Sequence, residues 1–304
     1  MDKVTVILTT YNSSNYLQEV LDSINNQEGN SLDFELELIV VDDCSTDNTI
    51  DILNKNSVKF IKTPKNSGGP NYGRNLALSQ CTGSYICILD HDDIWLPHKI
   101  NSLLSLSHLA PIITSGYTLI DNIHNRRKDR VKKINDDKNY ILYSKNETFL
   151  NKLMKRNHGQ QTYLGSIMFH ASLKDILFET DHGMIDFDWV LRLFYNNSSV
   201  ELCDSLYLRE LNASNLSLDE TYRLNDYQFS LKFISKYESE FPREVSISKK
   251  RINGSLARYY YLMERMSLSR NFFLRSEINY KTILYVITTF VGYKLVKRYF
   301  NIFG

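Results

Sequence analysis

The stretch YICILDHDDIW, residues 85–95, carries an apolar run to an abrupt end and then places Asp90, Asp92 and Asp93 within four positions. The run is short and apolar on both alternations, as in a strand that a parallel sheet covers on both faces. Carboxylates crowded at the mouth of such a strand repel one another and lose hydration, so positive charge is expected beside them. Hard oxygen donors suit Mg²⁺ or Mn²⁺ rather than zinc. A cation held by one or two carboxylates completes its shell with water and phosphate oxygens, which implies a phosphate-bearing ligand. Read alone, DHDD is equally an acidic loop that happens to follow a strand.

Three similar runs precede it: VTVIL (4–8), LELIVV (36–41) and VKFIKT (58–63). Between them, residues 14–27 place Tyr16, Leu17, Val20, Leu21 and Ile24 on one helical face behind a Ser13/Ser14 cap, and TDNTIDILN (46–54) gives a shorter helix behind a Thr or Asp cap. The βαβα series predicts an open α/β sheet with right-handed crossovers and ligands at the carboxyl ends of its strands. The unusual residues gather there: TTYN, DDCSTD, KNSGGPNYGRN and DHDD close the four runs in turn. Asp42 and Asp43, with Ser45 and Asp47, are placed to bond a base or ribose, or only to cap the next helix. Gly68, Gly69 and Gly73 permit close backbone approach, and the Arg74 guanidinium suits phosphate or carboxylate. The loop is neither a Walker A loop nor a GxGxxG fingerprint.

The chain has 304 residues, enough for one large domain or two ordinary ones, and its formal charge of +1 gives no indication of nucleic-acid binding. Four cysteines without CxxC spacing are expected to be reduced thiols, with Cys87 inside a strand. The start, MDKVTVILTTYN, does not read as a signal peptide, and no run reaches the roughly 20 apolar residues of a membrane span. Residues 97–109 read as a helix with Pro97 in its first turn, PIITSGYTLI as a strand, and the charged residues 121–140 as a surface loop. TYLGSIMFH reads as a strand and MIDFDWVLRLF as a helix with an acidic start. From about residue 220 the pattern is helical. The last stretch, from Lys281, carries Lys294, Lys297 and Arg298 around an apolar segment, and fits either an anionic membrane surface or packing on its own domain.

VTVILTTYN, IVVDDCSTDNT, KNSGGPNYGRNLAL and GSYICILDHDDIW, in this order and spacing, resemble the family 2 glycosyltransferases of GT-A fold. The likeness is dense from residue 4 to about 100, patchier over 160–215 and slight beyond. It implies an α/β fold, an open mixed sheet flanked by helices, over residues 1–215, with a nucleotide half (1–115) and an acceptor half (116–215); the helical pattern of 216–304 follows as a separate region, either membrane-associating or packed on its own domain. It also implies a hexosyltransferase that inverts the anomeric carbon, moving a sugar from a nucleotide diphosphate sugar, most often a UDP-sugar, to a hydroxyl of a glycan or lipid-linked acceptor. Bacterial surface polysaccharide synthesis, in the cytoplasm or at the inner face of the membrane, is the setting it implies.

Carried over by motif, Thr10 and Tyr11 line the nucleoside, with Tyr11 near the uracil. Asp43 or Asp42 bonds the base, and Asn66, Gly68 and Arg74 belong to the nucleotide-sugar site. Asp90 lies near the ribose or the metal, Asp92 binds Mn²⁺ or Mg²⁺ bridging the diphosphate, and Asp93 is a third carboxylate. The general base sits in a motif resembling EDxxLxLRL. Here GMIDFDWVLRLF aligns on LRL, giving Asp186 at the aspartate and Ile185 where glutamate stands in the family; Asp188 is the alternative base, and either aspartate is otherwise a helix cap. Thr9 replaces a proline, and Leu211 stands where a histidine is frequent, so that the histidine's role at the diphosphate is either unfilled or supplied elsewhere, Arg209 being one candidate. His91 is expected to be structural, Trp95 to pack, and Gly165 and Ser166 to border the acceptor. Two rivals remain at this stage. A haloacid-dehalogenase-like phosphatase would use Asp90 and Asp92 but lacks the Thr or Val at Ile94, and a non-catalytic nucleotide-sugar-binding module would keep the site without turnover.

Overall fold

The computed structural model describes residues 1–122, 125–134, 138–156, 159–181, 186–211, 220–291 and 293–294. The first four strands are β1 (Asp2–Thr10), β2 (Phe34–Asp42), β3 (Phe60–Lys62) and β4 (Tyr85–Leu89), crossed over by α1 (Leu17–Asn25), α2 (Thr49–Lys55) and α3 (Pro70–Leu78). All their pairings are parallel, in the order β3-β2-β1-β4. β1 is buried from Val4 to Thr10 because strands flank it on both sides and helices cover it. α1 buries Leu17, Val20, Leu21 and Ile24, and each such side chain contributes about 1.5–3 kcal/mol. Its expected serine cap is absent. Tyr16 precedes the helix, and the Ser13 and Ser14 amides instead donate to Thr49 Oγ1 (2.7 Å) and Asp47 Oδ2 (3.0 Å), tying the end of β1 to the start of α2.

Beyond β4 the sheet becomes mixed. The further elements in chain order are β5 (Asp93–Trp95), α4 (Lys99–Leu104), β6 (Ile112–Asp121), β7 (Arg126–Arg130), β8 (Tyr140–Tyr143), α5 (Glu147–Leu153), β9 (Ile167–His170), α6 (Phe187–Phe194) and β10 (Ser199–Leu211). β9 lies antiparallel between β4 and β6, β10 runs parallel to β6, and β5 returns antiparallel on β10, giving a ten-stranded sheet among the described residues. Several expectations are corrected. The charged segment read as a loop contains β7, an exposed edge strand whose pairing with β6 does not depend on apolar side chains. The run 85–95 turns after Leu89, with the Asp93 amide donating to Asp90 O (3.2 Å), and resumes as β5. α4 begins after Pro97, at Lys99, and TYLGSIMFH opens as a 3₁₀ turn (Leu164–Ser166) before β9.

Apart from α5, which crosses the boundary at Leu150, these elements belong to one compact unit, Met1–Phe149 with Gly159–Ser214; the other comprises Leu150–His158 and Asn215–Gly304. The second unit contains α7 (Glu220–Ser235), α8 (Pro242–Leu262), α9 (Met266–Phe273) and α10 (Tyr280–Thr288). Its core joins Ala257, Tyr261, Phe273 and Tyr285, with Phe273 stacked on Tyr285 at 5.2 Å. Among the described residues no helix is long and apolar enough to cross a membrane. Ile185, Lys297 and Arg298 lie outside the described residues. The four cysteines are unpaired, and burial pushes the Cys87 thiol up to about 12.

Candidate active site

The carboxyl ends of β1 and β2 meet at Thr10 and Asp42, which are register partners. Asp42 is fully buried. It accepts from Thr10 Oγ1 (3.1 Å), the Ser45 amide (3.0 Å) and Ser45 Oγ (2.5 Å). The chain leaves both strands through left-handed residues, Asn12 (φ 49°) and Cys44 (φ 65°), a conformation kept where surrounding bonds over-determine it. Those bonds are present: the Asn12 amide donates to Ser45 Oγ (2.9 Å), and Asn12 Oδ1 accepts from the Thr46 amide (2.8 Å). Asp43 is buried too and takes bonds from Thr63 Oγ1 (2.8 Å), the Ser67 amide (3.0 Å) and Ser67 Oγ (2.9 Å). Asn66 donates to Asp43 O (3.0 Å) and accepts from the amide of Gly68, whose φ of +81° favours glycine. The two aspartates expected at the base therefore shape the loops around it. Asp47 follows the capping reading: burial raises its pKa, but bonds from Thr49 and Ser14 outweigh that and hold it at about 2. Tyr11, 48% exposed at the rim, is the open aromatic of this corner.

Arg74, on α3, is buried rather than open to a ligand. It donates to Asn71 Oδ1 (2.9 Å) and Asp90 Oδ1 (2.7 Å), lies 5.2 Å above the Phe178 ring, and keeps Nε buried without an acceptor. Phe178 in turn stacks on Trp189 of α6 at 4.4 Å. Asn75 clamps the same segment, donating to Phe178 O (2.8 Å) and accepting from the Phe178 amide (2.7 Å). A continuous brace thus runs from α3 through residue 178 to α6, and it orients Asp90. The Asp90 side chain remains 40% exposed.

Asp92 is half-buried and Asp93 buried. Burial raises the pKa of Asp92, with Asp90 adding to it and His91 and Arg209 opposing. Burial, then Asp90 and Asp92, hold Asp93 well above the usual carboxylate range. Position 165 explains how Asp93 is packed: a Cβ there would lie 2.7 Å from Asp93 Oδ2 and 3.0 Å from the Tyr207 ring. Gly165 is thus placed at the acid cluster. Arg209, Asp93's register partner on β10, sits over the Tyr163 ring at 4.4 Å. His91 faces Tyr16 (6.5 Å between ring centroids), and Trp95 is buried.

Lys99, not singled out in the sequence, is fully buried between the rings of Trp95 (5.3 Å) and Tyr207 (5.1 Å), and its amine lacks a hydrogen-bond partner. Burial lowers its pKa to about 8 against the opposing pull of Cys87 and Asp93. The signal was present: at helical spacing Lys99 shares the apolar face of Leu103 and Leu106. Among the described residues no three acidic, imidazole or thiol side chains gather in a metal-binding group. The groups here that could hold a cation are the partly exposed Asp90 and the half-buried Asp92, hard oxygens whose mutual repulsion a divalent cation would relieve.

α6 carries the two candidate bases. Asp188 is buried and bound by Arg192, one turn on, through Nε (2.8 Å) and Nη2 (2.7 Å). Asp186 is the N-cap residue, half-buried, and its side chain makes no capping bond.

Residues 5–178 match the family described as Glycosyl transferase family 2. The chain belongs to that family. Within it, a stretch of 97 residues is 43% identical to the poly(ribitol-phosphate) β-N-acetylglucosaminyltransferase TarS of Staphylococcus aureus, covering 31% of this chain and 17% of that protein. Another, of 124 residues, is 32% identical to the putative teichuronic acid biosynthesis glycosyltransferase TuaG of Bacillus subtilis, covering 38% of this chain and 47% of that one. The family member's fold is that of the S. aureus TarS crystal structure, with a TM-score of 0.60 at 19% identity over 98% of this chain and 53% of TarS. The mannosyltransferase PcManGT of Pyrobaculum calidifontis shares it, with a TM-score of 0.58 at 15% identity over 97% and 83% of the two chains. The open mixed sheet of the GT-A fold is thereby established for this family member, which spans only a part of the curated relatives it matches.

Proposed function

We propose that the protein is a metal-dependent inverting glycosyltransferase that moves a sugar from a UDP-sugar to a hydroxyl of an anionic surface glycan. The observation that carries this reading is the Arg74–Asp90 pair at 2.7 Å beside Asp92, at the end of a parallel strand whose neighbours close on Tyr11 and the Asp42 and Asp43 loops. The relatives' names, which include transfer to poly(ribitol-phosphate), support the acceptor class. Family membership and the clusters on β1 and β2 favour this reading over the phosphatase.

Tyr11 stacks on the uracil, while Thr10, Asp42, Asp43, Asn66 and Gly68 keep the rim loops in shape. Arg74 is a positioning residue that fixes Asp90. Asp90 and Asp92 would hold the cation, Mn²⁺ or Mg²⁺, which would supply charge neutralisation for a diphosphate leaving group. Asp93, buried against Gly165, acts through its neighbours, and Arg209 adds a second positive charge on the diphosphate side. Asp186 takes the acceptor hydroxyl's proton, a role that Asp188 is less suited to because Arg192 already neutralises it. The exposed apolar face of α10, formed by Tyr280, Ile283 and Ile287, supports peripheral contact with the inner face of the cell membrane.

The test is donor turnover. With Mn²⁺ present, the protein should bind UDP and release it from a UDP-sugar, and Asp92→Ala should abolish both the metal-dependent binding and the turnover. Unchanged turnover in Asp92→Ala would refute the metal assignment; UDP binding without consumption of any donor would favour the non-catalytic module.

A further inference from the structure

The helical unit contains a cavity of about 820 Å³, walled by α8, α9, α10 and the segment around residue 155. Six cations line it, Lys155, Arg156, Lys250, Arg251, Arg258 and Lys281, against a single carboxylate, Glu277. Glu277 is engaged by Arg251 (2.9 Å), which also donates to Met154 O (2.8 Å). Lys250, Arg258 and Lys281 make neither a hydrogen bond nor an ion pair among the described residues. A concave wall with this excess of charge is unfavourable to itself and calls for an anion. We propose that the cavity is a binding site for a phosphodiester-linked polyol or sugar chain. As a grip on the acceptor it rests on the transferase reading; as a binding site it does not, since the cavity lies wholly within the helical unit.

Three features narrow the ligand class. Lys250, Gly254 and Arg258 follow one ridge of α8, so the two cations are roughly 12 Å apart along the helix axis, with the side-chain-free Gly254 between them. That separation suits successive charges on a chain better than one isolated phosphate. The aromatic side chains of the wall, Phe273 and Tyr285, are 1% and 2% exposed, so there is no platform for stacked bases and a nucleic acid is disfavoured. A bilayer is disfavoured by helix geometry. At about 100° per residue, the cavity-lining positions Lys281, Thr282 and Tyr285 lie opposite the exposed apolar positions Tyr280, Ile283 and Ile287, so a membrane that takes the apolar face leaves the cavity on the far side.

The experiment titrates the full chain with a glycerol-phosphate hexamer at low salt, alongside an oligogalacturonate hexamer and phosphatidylglycerol vesicles. Binding of UDP with Mn²⁺ is measured on the same samples. The hexamer should bind, and Lys250→Glu with Arg258→Glu should weaken it about ten-fold or more, the scale of one charge-assisted hydrogen bond lost, while UDP binding stays unchanged. Arg243→Glu, at the exposed first turn of α8, controls for charge alone and should keep hexamer binding. The milder pair Lys250→Gln and Arg258→Gln repeats the test if reversal disturbs folding. No hexamer binding, equal binding by the variants, equal or tighter binding of oligogalacturonate, or binding to the vesicles alone would each overturn the proposal. If the unsubstituted chain binds the hexamer in the manner expected but does not bind UDP with Mn²⁺, the transferase reading is overturned and this one stands.

Discussion

At the scale of single residues, helix position and ion pairing separate the two candidate bases. Asp186 and Asp188 are two positions apart, yet one is held by a guanidinium through two contacts and the other starts the helix. Asp186→Asn should therefore keep UDP binding and lose transfer by about 10²–10⁴-fold, the usual contribution of a general base. Asp188→Asn should act on stability instead, lowering the melting temperature with a much smaller effect on rate. If the two variants exchange these outcomes, the base is Asp188. Lys99 makes a different prediction, because a buried amine between two rings with no acceptor is a liability. Its pKa is lowered by burial to about 8 from an ordinary 10.5. Below pH 8 the amine is charged folded and unfolded, so the folded state bears the full penalty. Between about 8 and 10.5 the unfolded chain keeps a proton that the folded chain has released, so native stability rises with pH. Lys99→Met should accordingly stabilise the protein by about 1–3 kcal/mol at pH 7, after the lost ring contacts are subtracted, with the gain fading above pH 8 in denaturant titrations. A loss of stability at pH 7 would show that Lys99 has a partner such as ordered water.

At the scale of elements, two joints hold the site. The first is the clamp from α3 to residue 178. Asn75→Ala removes both of its bonds to the Phe178 backbone and should cost about 1–3 kcal/mol in urea titrations, with a larger proportional loss of turnover than of stability because Phe178 underlies Arg74. The second is Gly165, where an alanine Cβ would meet Asp93 and Tyr207; Gly165→Ala should weaken metal-dependent UDP binding, and unchanged binding would show that Asp93 can shift without consequence. Neither joint was fully legible in the sequence. β1 and β4 were, since strands buried on both faces write continuous apolar runs, β2 and the short, half-exposed β3 were found from their apolar residues and the βαβα order, and the clusters at the strand ends followed from that order. β7 was not, because an exposed edge strand, RRKDR, is held by the backbone of β6 and its side chains carry no alternation. β5 was hidden because it spans only Asp93–Trp95 and follows β4 through a tight turn. Phe178 was invisible as a site residue: it lies far in sequence from Arg74, and only the folded chain places its ring beneath the guanidinium. Asp42, Asp43 and Arg74 were legible as polar residues gathered at the strand ends but not in their bonding, since a motif marks a position while burial decides what a side chain can reach.

At the scale of the whole molecule, a formal charge of +1 conceals an uneven distribution. The first unit concentrates Asp90, Asp92 and Asp93 at one mouth, whereas the helical unit gathers six cations around one cavity and leaves Tyr280, Ile283 and Ile287 at 78%, 51% and 60% exposure on the opposite face of α10. Exposed apolar side chains in a row on one helical face are unusual on a protein surface that meets only water, and a helix presenting them can lie in the interfacial layer of a bilayer. Because the cavity cations point the other way, vesicle binding through this face should depend on apolar area more than on charge. The full chain should sediment with phosphatidylglycerol vesicles, retain most of that binding in 0.5 M salt, and lose about ten-fold or more of it in Ile283→Glu with Ile287→Glu, since each buried aliphatic side chain is worth about 1.5–3 kcal/mol. Binding to the glycerol-phosphate hexamer should respond in reverse, falling steeply with salt and ignoring the two isoleucines, because a cavity of fixed charges is screened while an apolar face is not. If salt releases the vesicles as readily as the hexamer, the two faces of α10 are not independent, and the cavity cations rather than the isoleucines make the membrane contact.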